Sequence, residues 1–178
     1  MNGNLKKGGK GTIETAVFGG GCFWGMEIAF SKVQGVIAAE SGYMGHAKYG
    51  HVSYQDICGG ATGYAEIVKV SFDPAKVGYG ELLEVFWKHH DPTTMNQQGP
   101  DFGTQYRSVI FYSAEEQRKK AIASRDALQK RMDKKGIKRK IVTAIETAGN
   151  YFRAEEYHQK YLEKQGQQSC HVLNPYYA

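Results

Sequence analysis

Cysteine is scarce in this chain and badly spaced for pairing: Cys22, Cys58 and Cys170 are an odd number of residues, far apart. That excludes a disulfide framework. No C-x-x-C step is present, so the chain has neither the C-x-x-C redox motif nor the common zinc-ligand spacing. In a reducing compartment, thiols of this kind are inert, catalytic or transiently oxidised. Also missing is any apolar run near the roughly 18 residues that cross a bilayer. Residues 1–11 carry lysines with no apolar stretch behind them, so they do not read as a secretory signal but as a disordered basic tail. A cytoplasmic protein with no membrane contact is expected. Much of the net charge of +5 falls in that tail and in residues 129–140, and the second run has no interleaved aromatics. A nucleic-acid face is therefore not expected, and a solvated helix end is.

What is present fits one globular domain. At 178 residues, 41% hydrophobic and 23% charged, the chain can build one well-formed core and is short for two. No linker or internal repeat interrupts it. Strands are expected at 13–18, 35–43, 65–72, 108–112 and 140–145, and helices at 22–33 and 79–90. A further helix is capped by Ser113 with Glu116 completing a capping box, and stopped at Gly136. Ala154, Tyr157, His158, Tyr161 and Leu162 suggest a last helical face, with the two tyrosines turned to the core. Two long polar loops, 42–63 and 91–106, are where function is expected. The fold class is α/β (α+β): a two-layer sandwich with helices packed on a mixed, largely antiparallel sheet, ferredoxin-like. The organisation expected is a tail at 1–11, a single catalytic domain at 12–165 and a mobile C-terminal tail at 166–178.

The most informative residues are Gly21-Cys22-Phe23-Trp24-Gly25, following an apolar run and a glycine triplet. They place a thiol where a strand hands over to a helix, among free backbone N–H groups at the positive end of the helix dipole. Two aromatic rings follow at once. On these residues alone, a buried cysteine in a tight turn and a nucleophile are equally good readings. The histidines lack metal-ligand spacing, and the glycine triplet lacks the rest of a phosphate-binding loop. No metal and no cofactor are expected. A cysteine–histidine hydrolase or acyltransferase using Cys22 with His90 or His158, a thiol peroxidase, and a non-catalytic basic binding module all remain open at this level.

The combination of motifs goes further. Gly21-Cys22-Phe23-Trp24-Gly25, Tyr54 with Thr62-Gly63-Tyr64-Ala65-Glu66, His90-Asp91-Pro92-Thr93-Thr94, Gly103-Thr104-Gln105-Tyr106-Arg107-Ser108 and Ala154-Glu155-Glu156-Tyr157-His158 resemble, in order, the A-type peptide-methionine sulfoxide reductases. The resemblance spans about residues 13–165. It implies that Cys22 attacks the sulfoxide sulfur and that Glu66 supplies the proton. It also implies that Tyr54 and Tyr106 hold the oxygen, with Asp101 in the network around them. Phe23 and Trp24 would enclose the S-methyl group, so that only the S epimer reacts. The product on Cys22 is a sulfenic acid. Cys170 is the candidate resolving thiol, closing a disulfide that thioredoxin reopens. Cys58 reads as structural, with a lesser claim to that role. The implied partners are oxidised proteins and free methionine sulfoxide as substrates and thioredoxin as reductant, for a monomeric enzyme. Tyr64, where many relatives carry histidine, is a mild departure.

Overall fold

A computed structural model describes residues 12–168 and 173–177. The elements in chain order are β1 (Glu14–Gly20), α1 (Phe23–Ser31), β2 (Val36–Gly45), α2 (Tyr54–Cys58), β3 (Ala65–Phe72), α3 (Tyr79–Lys88), β4 (Gln97–Gln98), β5 (Asp101–Phe102), β6 (Ser108–Tyr112), α4 (Glu115–Lys134), β7 (Ala144–Thr147), β8 (Asn150–Arg153) and α5 (Tyr161–Lys164). Six strands form one sheet in the order β7-β6-β1-β3-β2-β8, and β4 and β5 form a separate hairpin. Every described pairing in the large sheet is antiparallel except β6 with β7, which are parallel and joined through α4. The inner order β6-β1-β3-β2, with α1 and α3 as crossovers, is the ferredoxin-like arrangement.

Strand alternation divides the core. Ala16 and Phe18 of β1, Val68, Val70 and Phe72 of β3 and Ile110 of β6 face the helices and join Met26, Phe30, Leu82, Phe86, Leu128 and Met132. Phe18 stacks on Phe30 of α1 at 4.9 Å and on Phe86 of α3 at 5.3 Å, so one ring fixes two helices to the central strand. The alternate residues Val17, Ala65, Ile67, Val109 and Phe111, with Met44, form a smaller cluster on the other face.

The sheet curls around that second cluster. β7 and β8 are its two outermost strands, yet only Ala148 and Gly149 separate them in sequence. Three Cα steps span at most about 11 Å, so the two edges must come close together. Consistent with this, His46 beyond β2 lies 3.5 Å from Glu146 of β7, and its ring is 6.1 Å from that of Phe111.

Several expected elements shift. The capping box at Ser113 and Glu116 is not formed. The N-cap of α4 is Ala114 without a side-chain bond, and Gln117 instead accepts the Ser113 N–H and donates to Thr15 O, tying the helix to β1. A capping box does exist at Ser53 and Asp56, opening α2 inside the region read as loop. The strand expected at 140–145 pairs only from Ala144. The expected last helix is instead β8, a run of turns and the single helical turn of α5. Lys160 at φ +52° interrupts any helical path there. Tyr157, expected to face the core, is 58% exposed.

Candidate active site

Strand β1 ends at Gly20, and the chain turns at Gly21, whose φ is +91°. A Cβ there would sit 2.5 Å from Cγ of Gln98, so both backbone conformation and space call for glycine. The turn makes Cys22 the N-cap of α1, half-buried, with Phe23 as the first helical residue. The thiol thus stands where the helix dipole favours negative charge.

The stripe Val68-Val70-Phe72 continues along β3 to Glu66 on the same face. Alternation therefore carries a carboxyl into the core at the mouth of α1, where Glu66 is 2% exposed. Its Oε2 accepts the Phe23 N–H at 3.1 Å, a first-turn donor without an intrahelical partner. Burial pushes the Glu66 carboxyl up to about 8; the Phe23 N–H opposes this, and Asp101 adds to it. At neutral pH the group is a neutral acid beside the cysteine.

Both long loops close over this point. Gln98, 2% exposed, accepts the Asp91 N–H at 2.9 Å and donates back to Asp91 O at 2.5 Å, which fixes the β4–β5 hairpin that carries Asp101. Arg107 donates to Gly63 O at 3.1 Å and Thr104 Oγ1 to Gly60 O at 3.3 Å, stitching the second loop to the first. These bonds bring Tyr106 toward the α2 residues Tyr54 and Cys58. Burial pushes the Tyr106 hydroxyl up to about 12, with further contributions from Glu66, Asp101, Cys22 and Cys58. Burial also raises Tyr54, whose hydroxyl shares a hydrogen bond with the Cys58 thiol. Asp101 is raised by burial as well. Both tyrosines therefore stay protonated at physiological pH and can donate to an oxygen. Cys58, read as structural, is exposed and lies on this same face.

The aromatic pair divides its duties. Phe23 is 1% exposed and packs on Tyr43 at 5.8 Å and His158 at 5.0 Å, so Trp24 is the ring that reaches the surface. Tyr161 stacks on Trp24 at 3.8 Å, and the indole N–H donates to Nδ1 of His158 at 3.1 Å. Below them Glu155 accepts the Tyr54 N–H at 2.9 Å and the Tyr43 hydroxyl at 2.8 Å. Sequence reasoning placed no role on Glu155, Gln98 or Tyr161. The signal for Glu155 was the motif Ala154-Glu155-Glu156-Tyr157-His158, that for Tyr161 was the apparent helical face, and Gln98 had none.

The imidazoles are committed elsewhere. His90 Nδ1 bonds to Phe86 O at 2.7 Å and must carry its proton, so Nε2 accepts from Ser108 Oγ at 2.7 Å. His158 accepts at Nδ1, so its proton is on Nε2, and burial lowers its basicity. Neither has a basic nitrogen to spare for a cysteine–histidine pair. The recess at Cys22 is small, about 30 Å³, with Met26, His89, Gln98 and Asp101 among its lining residues. Among the described residues, no His, Cys, Asp or Glu cluster is placed to hold a metal ion, and no helix is long and apolar enough to cross a membrane. Cys170 lies outside the described residues.

The chain matches the family model for peptide methionine sulfoxide reductase over residues 14–176. It is 55% identical over 164 residues to the peptide methionine sulfoxide reductase MsrA of Methanothermobacter thermautotrophicus, covering 90% of this chain and 92% of that one. Among solved structures, methionine sulfoxide reductase A of Corynebacterium diphtheriae superposes with a TM-score of 0.81 at 34% identity, covering 92% of this chain and 80% of that one. Reduced Mxr1 of Saccharomyces cerevisiae gives 0.80 at 35%, covering 96% and 97%. Mxr1 has also been solved in complex with Trx2, where the likeness is 0.59 at 24% identity, covering 96% and 94%. With the motifs in place around a cysteine at a helix N-terminus, the chain belongs to the A-type peptide methionine sulfoxide reductases.

Proposed function

We propose that the protein reduces the S epimer of free and protein-bound methionine sulfoxide to methionine, with Cys22 as nucleophile and Glu66 as acid. The observation that carries this reading is the neutral, buried carboxyl of Glu66 bonded to the first amide of the helix that Cys22 caps. A sulfoxide oxygen leaves sulfur only when protonated, and a carboxyl kept neutral at pH 7 can donate that proton. With Oε2 held by Phe23 N–H, Oε1 is the proton-bearing atom. Tyr54 and Tyr106, both kept protonated, hydrogen-bond the same oxygen as charge develops on it. Asp101 belongs to the surrounding network.

Attack of the Cys22 thiol on the sulfoxide sulfur forms an S–S bond while the protonated oxygen leaves as water. Water then attacks the Cys22 sulfur, breaking that bond, releasing methionine and leaving a sulfenic acid on Cys22. Trp24, backed by Phe23, takes the S-methyl group, so methyl and oxygen fix which epimer presents its sulfur. The Cys170 thiol then displaces water to form a Cys22–Cys170 disulfide, and a dithiol such as thioredoxin reduces it by exchange. The complex of Mxr1 with Trx2 supports that reductant. The protein works as a monomer in the cytoplasm, with 12–165 as the catalytic domain.

The resolved epimers test the reading with dithiothreitol as reductant. The S form should be reduced and the R form left intact. Equal rates on both would overturn the stereochemistry, and no reduction of either would overturn the activity.

A further inference from the structure

One short stretch of chain holds Trp24 from two directions. Tyr161 stacks on its indole at 3.8 Å with the ring planes 14° apart, and His158 accepts the indole N–H at 3.1 Å. Residues 158–161 therefore form a clamp on this ring. The two residues between, Gln159 and Lys160, fasten the clamp to the body of the protein. Gln159, 5% exposed, accepts the Ser41 N–H at 3.1 Å and donates to Ser41 O at 2.9 Å, which ties it to β2. Lys160 turns the chain at φ +52°, a backbone conformation that a side chain makes costly. Its N–H donates to Oε2 of Glu27 at 2.7 Å.

Glu27 lies three residues after Trp24 in α1, so the ring and this acceptor share a helix face. The carboxyl is 3% exposed, and burial pushes it up to about 7 against the opposing hydrogen bonds of Lys160 and Ser41. A carboxyl is costly to bury without such bonds, and no step of the reaction uses this one. Packing leaves this side open. A cleft of about 290 Å³ runs between α1, the start of β2 and α5, with Trp24, Glu27, Ile28, Ala38, Lys160 and Leu162 among its lining residues. The bond from Glu27 is thus a direct tie between the left-handed turn and α1.

We propose that Glu27 is a positioning residue for substrate binding: by holding the Lys160 amide it sets the left-handed turn that lays Tyr161 on Trp24. It thereby fixes the ring against which the substrate's methyl group packs. The proposal rests on Trp24 as the wall that takes that group. Helix α1 carries both the ring and the tie for its clamp, so the two stay in register. A loosened ring would have to be ordered when substrate binds. That cost falls on affinity and not on the chemical step at Cys22 and Glu66.

The test uses the full chain with Glu27→Met, Glu27→Asp, Glu27→Gln, Tyr161→Ala, the double change Glu27→Met with Tyr161→Ala, and Trp24→Ala. Methionine release in the first turnover is measured without reductant over a range of S-epimer concentrations. Glu27→Met keeps the side chain's length without an acceptor. It should raise the half-saturating concentration about tenfold and leave the limiting rate unchanged. Glu27→Asp, one methylene short of Lys160, should shift it the same way and serves if Glu27→Met does not fold. Glu27→Gln keeps a carbonyl oxygen for the Lys160 N–H and should bind as the parent does. The double variant should bind no more weakly than Tyr161→Ala, because the clamp is already lost. Unchanged half-saturation in Glu27→Met and Glu27→Asp would overturn the proposal, as would effects that multiply in the double variant. A lower limiting rate at unchanged half-saturation would also overturn it, and so would a Glu27→Gln as weak as Glu27→Met. Parent-like half-saturation in Trp24→Ala would instead remove the reading of Trp24 on which the proposal rests.

Discussion

Glu66 shows how backbone geometry sets the protonation of one side chain. Its stripe-mates Val68, Val70 and Phe72 are core residues, so the strand's pleat forces the carboxyl out of water. Burial raises its pKa to about 8 from an ordinary 4.5. The folded protein therefore holds a proton on Glu66 that the unfolded chain releases above about pH 4.5. Between about pH 4.5 and 8 the folded state binds more protons, and stability declines as pH rises through that window. Two outcomes are expected. The single-turnover rate of methionine formation should be flat near neutrality and fall above about pH 8, as the acid form is lost. Glu66→Gln should slow that step by about 10²-fold or more and abolish the alkaline fall. Denaturant midpoints at pH 6 and pH 9 should converge in the same variant, and rates near the parent would show that the proton comes from elsewhere. Glu66 was legible through the motif Thr62-Gly63-Tyr64-Ala65-Glu66 that carries the family resemblance, and alternation along β3 accounts for its burial. The contacts of Glu155 and His158 were not, since their partners Tyr54 and Trp24 lie 101 and 134 residues away.

Elements were legible where local sequence decided them. Strand β3 ends at Phe72 before Asp73-Pro74, and β6 occupies 108–112, both as read from alternation and β-branched or aromatic content. Legibility failed where distant groups took over. The start of α4 is fixed by Gln117 reaching β1. The apparent helix at 154–162 is broken because Gln159 bonds Ser41 in β2 and Lys160 gives its N–H to Glu27 at 2.7 Å in a left-handed conformation. The strand-to-helix turn at Gly21 belongs to this scale too. Gly21→Ala should cost about 1–2 kcal/mol for the left-handed backbone alone, and more from the contact with Gln98. Because that turn sets where Cys22 points, single-turnover activity should fall along with the urea midpoint. Unchanged activity in a destabilised variant would show that the thiol's placement does not depend on this turn.

At the level of the whole molecule the three cysteines divide by location. Cys22 caps a helix, Cys58 is exposed beside Tyr54, and Cys170 lies outside the described residues. Cys170→Ser should release about one methionine per enzyme and then stall with thioredoxin. Cys58→Ser should keep cycling, since a serine hydroxyl can replace the thiol against Tyr54. Counting methionine per enzyme with and without thioredoxin separates the two, and the reverse pattern would exchange their roles. The layered class was readable from alternating elements, whereas the curl of the sheet was not, because it depends on where β7 and β8 land.

That curl bears on the kind of polypeptide such a protein must handle. An extended, partly unfolded chain carries strand-forming segments that can join a free sheet edge. Here each outer strand is only four residues long. The pair bends together, with Glu146 facing His46 on one side and Arg153 bound to Glu40 on the other. Short, charged and mutually approaching edges give a damaged chain little backbone to copy. The sheet thus ends in edges that resist strand addition by an extended peptide.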